Sequence, residues 1–265
     1  MTKNQISIYI KNELYFKINT WTFISIIICL FIIIPISTIG FQFDNHSENW
    51  NHIKSTVLNK YIFSTTILVI GTSFCSAIIG VSCAFFVSFC RFPGRKFFEW
   101  ALILPLTIPT YIAAYSYYDI LELFNPMMLL IRDNLGVQAM NLTNDILVYL
   151  CIIFILTFVL FPYIYLSTRA SFLSQGNKLI EAAKTLGYMP FSIFWRVILP
   201  LSRPAIIAGL SLVVMETVND YGAVEYFGIP TFTVGIFRSW LGMNDFDTAL
   251  KLSLIHISEP TRRYS

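Results

Sequence analysis

Glu216 and Asp220 stand four residues apart at the end of an apolar run that carries no charge after Arg203. On a continuous helix that spacing places both carboxylates on one face. Such a pair can act as general acid and base, or it can steer a cation. Asp119 and Glu122 close a second apolar run in the same way, behind Tyr111, Tyr115, Tyr117 and Tyr118. Tyr118, Asp119, Glu216 and Asp220 are therefore candidates for lining a translocation path. The plainer reading makes them hydrated helix ends and interfacial aromatics. Asp44, His46, Glu48 and His52 form another small polar group. Their spacing fits no helical or finger-type ligand set, so no metal site is assigned. The five cysteines form no CxxC pair and read as small buried hydrophobes. No G-x-x-x-x-G-K-[ST] phosphate loop occurs; "FPGRKF" comes nearest and lacks the first Gly and the Ser/Thr. This chain is therefore not expected to hydrolyse ATP itself, and no cofactor is expected on it. No catalytic residue is assigned.

The elements that position these residues are apolar. Of 265 residues 56% are hydrophobic and only 12% charged, about half the charge of an ordinary soluble domain. No Asp, Glu, Lys or Arg interrupts the stretches between Lys17 and Asp44, Lys60 and Arg91, Glu99 and Asp119, or Asp145 and Arg169. Each is long enough for a helix to cross a bilayer, which takes about 20 apolar residues. The expected fold is an all-α polytopic membrane bundle with about five full spans, over 21–40, 61–90, 98–121, 146–168 and 203–220, and a truncated sixth starting at Thr248. Loops are expected over 41–60, 122–145 and 221–248. Residues 1–20 form a polar tail, 21–60 a first helix with its outer loop, and 61–253 the core domain. Pro105 and Pro109 should bend the third span.

Positive charge sets the orientation. One side holds Lys3, Lys11, Lys17, Arg91, Arg95, Lys96, Arg169, Lys178, Lys184, Arg196 and Arg203; the other holds Lys54, Lys60, Arg132, Arg238 and Lys251. Eleven against five places the N-terminus and residues 169–202 in the cytoplasm. The net charge of +3 is too small to point to nucleic acid.

The cytoplasmic segment contains "EAAKTLGYMPFSIFWRVILP", Glu181 to Pro200. Glu181, Ala182, Ala183, Lys184 and Leu186 favour a helix. Gly187 suits a left-handed cap that ends it. Pro190 suits the first turn of a second helix. Phe191, Phe194, Trp195 and Ile198 then recur at helical spacing and predict one apolar face. Pro200 and Pro204 should turn the chain back toward the bilayer.

Glu181-Ala182-Ala183, three residues, Gly187, nine residues and Val197-Ile198-Leu199-Pro200 resemble the cytoplasmic signature of bacterial ABC importer permeases, with Val where the pattern has Ile. The resemblance implies a coupling helix that docks on an ATPase subunit. Glu181 would contact the ATPase; Ala182, Ala183 and Gly187 would permit close approach; Leu199 and Pro200 would close the segment. "LILPLTIPTYIAAYSYYDIL" and "AIIAGLSLVVMETVNDYGAVEYFGIPTFTVGIFRSW" look like the N-terminal half of fused ferric-iron permeases. That likeness implies transport of ferric iron across the bacterial inner membrane by alternating access. It also implies as partners a dimer of ABC ATPases, a solute-binding protein and a second permease half, with ATP and Mg held by the ATPase. Thiamine permeases share the plan and are the alternative. A polytopic membrane enzyme and a membrane scaffold are alternatives of another class. The closing "SLIHISEPTRRYS" resembles sequencing-adapter read-through, and residues 254–265 are expected to be non-native.

Overall fold

The computed structural model describes residues 20–41, 48–174, 185, 187–188 and 190–258. Among them every regular element is helical. The chain divides into two units after Ser47. In the first, α1 (Thr20–Phe41) is a 22-residue helix that carries the first predicted span. The second unit opens with α2 (Glu48–Thr56) and is built around α3 (Leu58–Phe89) and α7 (Val137–Ser174). These two are long and apolar enough to cross a membrane, at 32 and 38 residues.

Helices α3 and α7 run parallel. Ser64 hydrogen-bonds Tyr149, Gly71 lies against Ile153, Gly80 against Ile164, and the Phe89 ring against Phe172. Partners thus advance together in both helices. The buried face of α3 (Ser64, Leu68, Thr72, Ser76, Gly80, Ala84) repeats every four residues and is nearly all small, which lets two backbones approach closely. Ile152, Ile155, Leu156, Leu160 and Ile164 of α7 fill the other side of this core.

The third predicted span is not one helix. It consists of α4 (Arg95–Ala101), a 3₁₀ turn (Leu104–Thr107) and α5 (Thr110–Tyr117), then a 3₁₀ stretch (Tyr118–Phe124) and α6 (Asn125–Leu135). The chain turns by 90° between Thr107 and Thr110. Pro109, in an extended conformation at the start of α5, marks the break. The loop expected over 122–145 is instead helical. Pro126 opens α6 and Gly136, at φ +87, ends it one residue before α7 begins. The fifth predicted span is α10 (Arg203–Asn219), preceded by α8 (Pro190–Ile193), a π-helical turn (Phe194–Ile198) and α9 (Leu199–Leu201).

Residues 221–248 are not an exposed loop either. They form α11 (Gly222–Tyr226), α12 (Phe232–Phe237) and a π-helical turn (Arg238–Gly242). Ala223, Val224 and Val234 are completely buried. The segment is tied to the bundle from both sides: the Phe232 amide donates to Thr65 Oγ1 at 3.2 Å, and the Thr233 hydroxyl to the Val218 carbonyl at 2.6 Å. The apolar run predicted from Thr248 lies in α13 (Phe246–Ser258).

Candidate functional site

Of the signature residues, Glu181, Ala182 and Ala183 lie outside the described residues. Gly187 is described: it is exposed, takes φ +81, and a Cβ built there would meet nothing within 4 Å. This is the left-handed turn its identity predicts, standing clear of the other described residues. Pro190 begins α8, as expected.

The apolar face that follows differs from the predicted one. Ile193 and Ile198 are buried, five residues apart, and Trp195 is 53% exposed. The cause is the π-helical turn, in which the Leu199 amide donates to the Phe194 carbonyl, five residues back. A wide turn brings positions i and i+5 onto one face, where a regular helix would align i and i+4. Pro200 accounts for it: its ring would collide with the carbonyl of Arg196 in a regular helix, and it has no N–H to donate. Ile193 and Ile198 pack with Ala84, Val87, Phe161, Tyr165 and Phe172, at the ends of α3 and α7. The Phe194 ring meets Phe85 edge-on at 4.6 Å. The side chain of Phe191 is outside the described residues.

Segment 190–201 then joins the bundle through a hinge. At Ser202 the chain bends by 60° into α10. Ser202 is fully buried and its hydroxyl lies 3.2 Å from that of Ser171 on α7. One turn away, Arg169 pairs with Glu99, and the Tyr165 hydroxyl donates to the Glu99 carbonyl at 3.1 Å. Displacement of 190–201 would therefore load α3, α7 and α10 together. These contacts were missed in the sequence, although Glu99 and Arg169, of opposite sign, each bound an uncharged run.

The four path candidates separate. Glu216 and Asp220 do not share a helix face, because α10 ends at Asn219 and Asp220 is extended. Asp220 Oδ1 accepts from the amides of Ala223 (2.9 Å) and Val224 (3.3 Å), so it caps α11. Gly222 opens α11. Its missing side chain matters, since a Cβ there would sit 2.8 Å from that of Tyr111. Tyr118 packs edge-on against Tyr226 and Phe227, at 5.1 and 5.5 Å between centroids. Asp119 is exposed beside it.

Glu216 is exposed and accepts a long hydrogen bond from the Tyr163 hydroxyl, at 3.4 Å. Its depth follows from the antiparallel packing of α10 on α7. Ser202 faces Ser171 and Gly209 faces Ile164, a step of seven on both helices. A further seven brings Glu216 level with Thr157, the midpoint of the uncharged interval 146–168. The carboxylate thus sits level with the middle of the uncharged interval of α7 and is left exposed by the described residues of the second unit. Ser211 and Asn219 are exposed on the same helix.

A family model described as "Binding-protein-dependent transport system inner membrane component" matches residues 76–248. The Fe(3+)-transport system permease protein FbpB 2 of Haemophilus influenzae is 28% identical over 196 residues, covering 74% of this chain and 34% of that protein. The sulfate transport system permease protein CysT of Salmonella typhimurium is 26% identical over 207 residues, 75% of this chain and 70% of its own length. The spermidine/putrescine transport system permease protein PotB of Haemophilus influenzae is 26% identical over 187 residues, 68% of this chain and 63% of its own. The chain spans about a third of the length of the iron permease that it matches.

Proposed function

The chain belongs to the family of binding-protein-dependent transport system inner membrane components, the permeases of ABC importers, and from that premise we propose that its exposed α10 face lines a passage for a cation, read as ferric iron. It is a multi-pass membrane transport component, not an enzyme. The passage reading rests on one observation: Glu216 is exposed at mid-membrane depth. A carboxylate facing hydrocarbon is costly, so such groups face water or protein. A second permease half across from α10 supplies both, by enclosing a water-filled passage along Ser211, Glu216 and Asn219. Relatives named for iron, sulfate and spermidine/putrescine transport span both signs of charge. A lone carboxylate at mid-depth favours a cation over sulfate.

The mechanism is alternating access. A loaded binding protein docks on the side opposite to the Gly187 turn. ATP binding closes a separate pair of ATPases against the segment around Glu181 and Gly187, with ATP and Mg held on those chains. The pull passes through Ile193 and Ile198 to α3 and α7, and through the Ser202 bend to α10, opening the passage outward. The eleven-to-five charge count supports a cytoplasmic N-terminus and a cytoplasmic Gly187 turn. Tyr118 and Asp119 belong to the outer mouth. Asp220 serves there as a cap and not as a cargo ligand.

The test is purification in mild detergent followed by uptake in proteoliposomes. The chain should bring down an ATPase and a second permease half, and ATP should drive uptake of radiolabelled ferric iron when the binding protein is present. Glu216→Gln should lower that uptake about tenfold, the loss of ~1.4 kcal/mol of charge stabilisation, with ATPase recovery unchanged. Failure to recover an ATPase would overturn the coupling. Uptake unaltered in Glu216→Gln and in Glu216→Leu would overturn the passage assignment.

A further inference from the structure

We propose that the groove beside α4 is a binding site for an anionic phospholipid. The groove has a volume of about 330 Å³ and is lined by Lys96, Phe97, Trp100, Ile103, Leu104 and Thr107. Phe97, Trp100 and Leu104 are 70%, 74% and 62% exposed, so no other described part of the second unit covers its walls. Besides Lys96 the walls carry only the Trp100 indole N–H and the Thr107 hydroxyl, which donates to the Leu104 carbonyl at 2.7 Å. The walls are thus effectively apolar, with a single ammonium among them.

Depth and charge select the occupant. The Arg169–Glu99 pair holds α4 at the end of the uncharged interval of α7, which is headgroup level. From there the chain runs through Leu104 toward Ala113 and Ala114, which pack with Ile152 and Leu156 in the core. The groove therefore begins among headgroups at Lys96 and continues into the hydrocarbon. Charge near its mouth is positive. Glu99 is already committed to Arg169, and Arg95 donates to the Ser88 carbonyl at 3.1 Å. Lys96 and Arg91 are both exposed, with no ion pair to a described carboxylate. A neighbouring apolar helix would cover the walls and strand the ammonium. A phospholipid with an anionic headgroup satisfies both, its phosphate on Lys96 and an acyl chain along Phe97, Trp100 and Leu104.

The experiment places the full assembly in a neutral choline-lipid bilayer carrying a small share of photoactivatable phosphatidylglycerol or, in parallel, photoactivatable phosphatidylcholine. Cross-linked peptides are then mapped. Phosphatidylglycerol should label residues 96–107 about fivefold more than phosphatidylcholine, the preference expected of one Lys near an anionic surface. Lys96→Gln should reduce it to the phosphatidylcholine level, and Lys60→Gln should leave it unchanged. Excess inorganic phosphate should not compete, because the acyl chain supplies part of the affinity. Equal labelling by the two lipids would overturn the proposal, leaving ordinary bilayer contact. Displacement by phosphate would reduce the site to one for a free anion. Absence of label from either lipid in the unsubstituted chain would mean that protein covers the groove.

Discussion

Replacing Gly187 separates two ways in which a docking turn can need a glycine. The residue takes φ +81, and a Cβ at this position meets no described atom within 4 Å. Against the described residues the cost of a side chain is therefore confined to the backbone, about 1–2 kcal/mol for a left-handed L-residue. If the turn must keep this shape against the ATPase, Gly187→Ala should raise the dissociation constant of the ATPase about 5- to 30-fold. Gly187→Asn should recover most of that, since Asn tolerates the left-handed region. Gly187→Trp carries the same backbone penalty, and its Cβ likewise meets no described atom within 4 Å. On a face that another protein approaches closely it would collide, and binding should fall well beyond the Ala value. The assay is titration of detergent-solubilised permease with purified ATPase, alongside proteoliposome uptake. The expected order of affinity is Gly, Asn, Ala, Trp. Equal losses for Ala and Trp would refute close approach at this turn. Unchanged affinity across the whole series would refute its part in docking.

Asp220→Ala should cost about 1 kcal/mol by uncapping α11, read as a lower melting temperature in detergent, whereas Asp220→Asn should keep both stability and uptake. Loss of uptake in the Asn variant with normal melting would show that the charge is needed, and the cap would not be its whole role. Gly209→Ala would place a Cβ 2.8 Å from the Ile164 Cα and 2.5 Å from the Ser167 hydroxyl, forcing α7 and α10 apart at a cost of about 1–3 kcal/mol. Its melting temperature should drop clearly; an unchanged value would mean that the helices are not packed this closely.

The long helices were legible because the absence of charge is a one-dimensional signal. Lys60 to Arg91 and Asp145 to Arg169 bracket most of α3 and α7, and no tertiary knowledge is needed to see that. The break at Pro109 was legible too, though not its 90° turn. What went astray shares one cause: a helical period was carried past the point where the helix changes. Trp195 was put on one apolar face with Phe194 and Ile198 by counting at 3.6 residues per turn, and it is exposed. Pro200, two residues past the end of that count, widens the turn and selects Ile193 with Ile198 instead. Glu216 and Asp220 were paired by the same count, across a helix end at Asn219. Asp220 is itself a strong capping residue, so its identity was an argument for the end and against the pair. Stretches 122–145 and 221–248 were read as loops for want of a long apolar run. Pro126 and Gly136 nevertheless mark a start and a stop for α6, and Thr231 caps α12. Glu216 is a different case. Its position in an apolar run could be read, but its exposure at mid-depth depends on which neighbours α10 has and lacks. On the proposed reading the side chains that face it belong to a second permease half, and that demand emerges only when packing and membrane depth are considered together.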